Sequence, residues 1–232
     1  MTFHEHCHTC PKILKSTNAC YRPELLLGGN PLEAVWEIIM VFSSTAPYFL
    51  FVIAVLYSLL CRTSRGLCVA IFLVGQQVLC DVLKFLIAQA RPPGACATGF
   101  GLPSNHSSFA AALSTWLVLE WILLDRNAPF KSWRFYKVLR NLMLVFAPLV
   151  AISRHHLNYH TPGQILAGAT VGFISASSVF ALMYYTVAIR FDYTKTPLYK
   201  IWTLLKFQDN LIGNQKQIYD TPSSAEKVKK QQ

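Results

Sequence analysis

Five stretches of the chain stay apolar for close to the ~20 residues that a helix needs to cross a hydrocarbon core. They lie within Val35–Cys61, at about Leu67–Leu83, and at Phe109–Leu124, Leu139–Ile152 and Ile165–Ile189. In the first stretch Glu37 and Pro47 predict that only the later part spans, the earlier part forming a short interfacial helix. The fourth is short and contains Pro148, and the fifth is the longest. Within it, Gly168 and Gly172 form a small-xxx-small pair suited to close helix packing. Glu120, inside the third, has two placements open to it, the bundle interior or a membrane edge. After the last stretch, Leu198, Ile201, Trp202 and Leu205 recur at helical spacing with Lys200 and Lys206 between them, the pattern of an amphipathic surface helix. From Gln208 onward the chain is polar. The pattern predicts an all-α fold, a polytopic membrane helical bundle of about five transmembrane helices. Residues 1–34 form a leading tail, 35–190 the membrane domain and 191–232 a second tail. Met1–Arg22 has no apolar run behind its charges, so insertion is expected to depend on an internal span.

Composition supports this reading and adds an orientation. The 232 residues are within the range of one domain. They are 53% hydrophobic and 14% charged, well short of the ~25% charged residues of soluble domains. The net charge of +10 is not the footprint of a nucleic-acid binder here, because the apolar runs dominate and basic excess in membrane proteins marks cytosolic loops. Arg62 and Arg65 follow the first span; Arg126, Lys131, Arg134 and Lys137 follow the third. These loops and the C-terminus are therefore expected in the cytosol. The N-terminus and the loops with Lys84, Arg91 and Arg154 face the other side. The cysteine count of seven is odd, which forbids complete intramolecular pairing, and three of the thiols sit in apolar segments as small hydrophobes.

The cations on the non-cytosolic side fall into three patches. Lys84 and Arg91-Pro92 close the second span. Pro103-Ser104-Asn105-His106-Ser107 opens the third. Ser153-Arg154-His155-His156-Leu157-Asn158-Tyr159-His160 leads into the fifth. One lysine, two arginines, a hydroxyl and two histidines thus meet one membrane face with no pair of carboxylates beside them. That set disfavours a Mg²⁺ site and favours an anion such as phosphate, held by charge-assisted hydrogen bonds.

The three patches resemble the signature motifs of the type 2 phosphatidic acid phosphatase superfamily, K-x6-RP, PSGH and SR-x5-H-x3-D. Three matches in order on one face are specific where one alone is weak. The resemblance implies a metal- and cofactor-independent phosphatase. His160 would attack phosphorus and become a phosphohistidine, splitting one displacement into two. His106 would protonate the leaving oxygen and then activate water. Lys84, Arg91 and Arg154 would hold the non-bridging oxygens. Ser104 and the N–H groups opening the third helix, at Asn105, would add donors.

Two positions depart from the commonest pattern. Asn105 stands at the motif's glycine, and asparagine tolerates left-handed backbone better than most residues. Asn105-His106-Ser107 also reads as a glycosylation sequon, in a turn where occupancy is not expected. Gln164 stands at the motif's aspartate. Two roles are open to it, and both can hold if the amide serves each: accepting the imidazole N–H of His160, and completing a Thr161-x-x-Gln164 capping box behind Pro162. His155 and His156 are read as loop residues without a role.

Within the superfamily, Gly101-Leu102-Pro103-Ser104-Asn105-His106-Ser107 and Tyr159-His160-Thr161-Pro162-Gly163-Gln164 resemble dolichyl diphosphatases, which also carry glutamine at that place. This implies a dolichyl diphosphate substrate, hydrolysed to dolichyl phosphate for protein glycosylation at the luminal face of the endoplasmic reticulum. Lys229-Lys230-Gln231-Gln232 resembles a dilysine signal read by coat-protein retrieval machinery, in keeping with a cytosolic tail. For His4-Glu5-His6-Cys7-His8-Thr9-Cys10, three readings are open: a polar tail, disulfides with Cys20 or Cys96, or zinc. Rival functions are another phosphatase of the superfamily, acting on a lysophospholipid, phosphatidate or glucose 6-phosphate, and an inactive lipid-binding protein.

Overall fold

A computed structural model describes residues 30–62, 64–93, 95, 97–123, 133–184, 200 and 204. His4–Cys10, Cys20, Cys96, Lys229 and Lys230 lie outside these residues, as does the proposed amphipathic helix apart from Lys200 and Leu204. Five helices follow in order: α1 (Pro31–Leu60), α2 (Ser64–Ile87), α3 (Asn105–Leu123), α4 (Trp133–His156) and α5 (Pro162–Met183). The central helix is α3, which packs most extensively on α5 and then on α4 and α2, while α1 leans on α4 and α2. Helices α1, α2, α4 and α5 are long and apolar enough to cross a membrane. The 19-residue α3 is shorter and packs against each of the other four, and we read it as the fifth span, screened from lipid by them. Their outer faces carry Phe49, Phe85, Val145, Leu166 and Phe173, all exposed. So much outward apolar surface suits lipid rather than water.

The first span differs from its sequence expectation. Instead of an interfacial piece followed by a span, α1 is one unbroken helix of 30 residues that contains Pro47. The Oδ1 of Asn30 caps it by accepting the Leu32 N–H at 3.2 Å, and Pro31 takes the first position, where its missing N–H costs nothing. At ~1.5 Å per residue such a helix exceeds the ~30 Å hydrocarbon core, so its Glu37 turn emerges at the membrane face. Glu37 is buried there because its Oε1 lies 2.9 Å from His156 Nε2. Helix α4 also runs longer than the apolar pattern, and its last turn contains Arg154, His155 and His156. The two histidines expected in a loop are therefore helical.

Aromatic stacking forms the core: Trp116 lies 4.9 Å from Phe72, stacked, and 5.2 Å edge-on from Phe180. Glu120 faces the interior, accepting the Trp116 indole N–H at 3.1 Å. Between the spans, Gln76 of α2 donates to Ser108 Oγ of α3 at 2.6 Å and accepts from Ser175 Oγ of α5 at 2.5 Å. Mutual satisfaction of this kind is how polar side chains persist at bilayer depth. Where α5 meets α3, Gly168 and Gly172 press against backbone: a Cβ on Gly168 would strike the Ser104 carbonyl, and one on Gly172 the Ser108 carbonyl. Neither carbonyl can swing aside without breaking its helix. Gly172→Ala should therefore lower the apparent melting temperature by several degrees, given ~1–3 kcal/mol for overpacking and about 2–4 °C per kcal/mol. Gly75→Ala, with open space around its Cβ, should leave it unchanged. Equal melting temperatures in a thermal-shift measurement would show that the α3–α5 contact is not so tight.

Candidate functional site

The antiparallel run of the helices brings the end of α2, the starts of α1, α3 and α5, and the end of α4 to one face. Two loops close over it. The first leaves α2 through Ala88, whose positive φ of 51° lets its N–H turn back to the Lys84 carbonyl at 2.9 Å, an αL cap on an alanine. It is pinned by the Gly101 N–H to the Gln89 carbonyl at 2.7 Å. The second loop, 157–161, turns at Asn158, φ 55°, whose Nδ2 reaches across to the Pro93 carbonyl at 3.1 Å. The Ser104 N–H donates to the Gln164 carbonyl at 3.1 Å. These bonds tie the three sequence patches to one another rather than each to its own helix.

The structure brings the predicted residues together. His160 is buried, with Arg91 NH1 at 3.2 Å from its Nε2 and Gln164 Oε1 at 3.3 Å from its Nδ1. A guanidinium only donates, so Nε2 carries the lone pair and Nδ1 the proton that faces Gln164. Arg91 NH1 also donates to the Tyr159 carbonyl at 3.1 Å, which fixes its approach. Arg154 is buried, donating from NH1 to Ser44 Oγ at 2.6 Å, with its guanidinium 4.0 Å from the Tyr159 ring centroid. This cation is thus held by a hydroxyl and a π face. His106 lies in the first turn of α3, buried, its Nε2 without a protein partner and its ring edge-on to Tyr48 at 5.0 Å. Lys84 is half-buried in the last turn of α2. Ser104 is fully buried and accepts from Ser107 Oγ at 3.1 Å. Because Gln164 takes the Ser104 N–H, the N–H groups left for an anion belong to the turn that Asn105 begins.

Burial, with Arg154 and Arg91 nearby, holds the His160 imidazole down at about 3, while the Gln164 contact acts the other way. Burial also lowers Arg91 from its usual range. The imidazole is thus held neutral, with its lone pair toward the Arg91 guanidinium.

Gln164 carries out both of the tasks that the sequence left open. The capping box is complete, with the Gln164 N–H donating to Thr161 Oγ1 and the Thr161 N–H to Gln164 Oε1, each at 3.3 Å. The same Oε1 faces His160, and Nε2 donates to the Ala90 carbonyl at 2.7 Å and to Gln89 Oε1 at 3.3 Å. Gly101 has no side chain because the amide lies over it: a Cβ there would sit 2.5 Å from Gln164 Nε2.

Three residues at this face were not singled out from the sequence, and a fourth, Glu37, was read only as a limit to the first span. Ser44 and Tyr48 carry no signal in an apolar helix. Glu37 pairs with His156, an ion pair across two helices that neither segment announces. Asp81 donates nothing but accepts from Asn105 Nδ2 at 2.8 Å and from Gln77 Nε2 at 3.2 Å. As a charge inside an apolar stretch it was the one legible in principle. The set of cations is therefore not wholly without acids, as the sequence implied. Among the described residues, no three His, Cys, Asp or Glu side chains group as metal ligands.

Residues 63–188 match the PAP2 superfamily, more than half of the chain, and the protein belongs to that superfamily of membrane phosphatases. Among curated relatives, it is 35% identical over 106 residues to Dolichyldiphosphatase 1 of Homo sapiens, an alignment covering 43% of this chain and 44% of that protein. The chain thus spans under half the length of these relatives. Lipid phosphate phosphatase gamma of Arabidopsis thaliana is 26% identical over 227 residues, 93% of each chain. The fold is similar to the crystal structure of a transmembrane PAP2-type phosphatidylglycerolphosphate phosphatase from Bacillus subtilis, with a TM-score of 0.50 and 23% identity, covering 81% of this chain and 95% of that one.

Substituting Gln164 tests its double duty. Gln164→Ala should cost about 1 kcal/mol of stability as a lost cap but lower turnover by about 10²–10⁴-fold, as misplaced or wrongly protonated histidines do. Gln164→Glu keeps the cap, yet its carboxylate favours the imidazolium, so the acid limb of the rate profile should move up by about 1–3 pH units. Normal turnover in the alanine variant with a lowered melting temperature would leave capping as the residue's whole role.

Proposed function

We propose that the protein hydrolyses a polyprenyl diphosphate, dolichyl diphosphate in the first instance, to the monophosphate and inorganic phosphate through a phosphohistidine on His160. The observation that carries the reading is the His160 Nε2 lone pair, buried and facing Arg91, with Arg154 buried at the same face. Attack by Nε2 forms the N–P bond as the lipid-phosphate oxygen leaves, and His106 supplies that oxygen's proton. His106 then takes a proton from the water that cleaves the N–P bond, returning both imidazoles to their starting state. Arg91, Arg154 and Lys84, with the N–H groups opening α3, hold the non-bridging oxygens, whose charge spreads in the transition state. The donors at this face are nitrogen cations and hydroxyls, a set that binds phosphate without an intervening metal. The diphosphate substrate is supported by the two sequence stretches around His106 and His160 and by the named relatives.

A second reading, a lipid phosphate monoester, is favoured by the end-to-end alignment with the lipid phosphate phosphatase. Phosphate release by purified protein from dolichyl diphosphate, phosphatidate and glucose 6-phosphate separates these, with the diphosphate expected to give the highest kcat/KM. His160→Ala should abolish release while leaving the fold intact, and EDTA should leave the wild type active. Strong chelator inhibition reversed by Mg²⁺ would sink the mechanism.

The site is proposed to face the endoplasmic reticulum lumen, with residues 1–34 luminal and residues 191–232, including Lys229 and Lys230, cytosolic and open to coat-protein retrieval. The supports are the basic residues at the opposite ends of the helices and the dolichyl diphosphatase relatives. Protease protection in sealed microsomes should shield an N-terminal tag and expose a C-terminal one; the reverse pattern refutes the orientation.

A further inference from the structure

We infer that Asp81 is a positioning residue for the phosphatase site, holding Asn105 by a side-chain clasp and thereby aiming the first turn of α3 at the substrate; this rests on the phosphatase reading above. Asp81 lies one turn before Lys84 on α2, inside an apolar span. A carboxylate at that depth is costly, and such residues are kept for partners and function. It stands, moreover, in a site built for an anion, where a loose negative charge would repel the substrate.

The geometry shows how the charge is occupied. Gln77 Nε2, one turn earlier on α2, donates to both carboxylate oxygens at 3.3 and 3.2 Å. Asn105 Nδ2 donates to Oδ1 at 2.8 Å, linking α2 to the first residue of α3. A carboxylate only accepts, so it selects one orientation of the Asn105 amide. The other end of that amide, Oδ1, is buried without a partner among the described residues, so the Asp81 contact is what favours this orientation of the amide. The clasp thus sets the side chain of the residue that directly precedes His106 and whose N–H opens the free donors of α3. A glycine at position 105 has no side chain to be held, so the clasp belongs to the pairing of Asp81 with Asn105.

The test uses full-length protein in detergent, with phosphate release from a short-chain polyprenyl diphosphate and melting temperature measured for each variant. Asp81→Ala should lower kcat by about 10–100-fold, the scale of a misplaced reacting group, with KM unchanged within about twofold. Asp81→Asn retains the acceptor and should stay near wild type. Asn105→Gly should be impaired on its own, and adding Asp81→Ala to it should cost nothing more, because residues acting as one unit are not additive. Wild-type kcat in Asp81→Ala, equal loss in Asp81→Asn and Asp81→Ala, or multiplicative losses in the double variant would each overturn the clasp. Should Asp81→Ala not fold, the reversed pair decides: Asn105→Asp sets two carboxylates together and should be nearly inactive, and adding Asp81→Asn should restore at least about tenfold of its rate. No restoration overturns the proposal. If the wild type hydrolyses phosphatidate and not the diphosphate, the substrate reading falls, and the same ratios, taken on phosphatidate, still decide the clasp.

Discussion

The site depends on the side-chain amide of Gln164, a neutral group bonded in four directions. Its oxygen serves the Thr161 N–H and faces His160; its nitrogen serves Ala90 and Gln89. Ala90 directly precedes Arg91, so the same amide that orients the imidazole also anchors the strand of chain bearing its cation. Distance along the chain makes this more than local tidiness, since the joined residues are 74 positions apart. An aspartate at this place, one methylene shorter and without an N–H, would end short of Ala90 and leave that carbonyl to be satisfied some other way. It would also set a negative charge beside cations whose purpose is to meet one.

Neutrality runs through the surroundings of the cations. Arg154 is held by the Ser44 hydroxyl and the Tyr159 ring, and Arg91 by a backbone carbonyl and an imidazole. These are neutral hydroxyl, ring, carbonyl and imidazole contacts, and burial strengthens what each contributes. The acids at this face are engaged elsewhere: Glu37 with His156, and Asp81 with Gln77 and Asn105. In the proposed reaction a phosphoryl group would meet these guanidinium groups, most strongly in the transition state.

The helical frame was legible because hydrocarbon imposes its own length and composition on a span, and the three motif patches were legible because their spacing is fixed by which helix ends must meet. Element boundaries were not, for reasons found in particular residues. Glu37 read as a reason to end a span, yet it extends α1 by pairing with His156, 119 positions away. The last turn of α4 read as loop because His155 and His156 fall between motif residues, though its carbonyls accept from the N–H groups of Leu157, Asn158, Tyr159 and His160 just beyond the helix end. For Gln164 the sequence offered two roles without deciding whether one or both hold, because a sequence lists side chains and not the number of bonds each makes. Asp81 was passed over because its partner is Asn105, whose side chain had not been weighed as a contact to α2.

The bonds that join Gln76 to Ser108 and Ser175 bear on how the chain is made. As α2 enters the bilayer its amide has only the weakly accepting Cys80 thiol of its own helix at 3.7 Å among the described residues, and most of the penalty persists until the two serines arrive. The next helix to emerge relieves half of it, through Ser108. Only the arrival of α5 supplies Ser175, together with the glycines that let it lie flat on α3 and the turn that bears the nucleophile. Biogenesis and competence for chemistry thus finish at the same moment, and a nascent chain stalled before its last span presents quality control with an exposed amide in lipid.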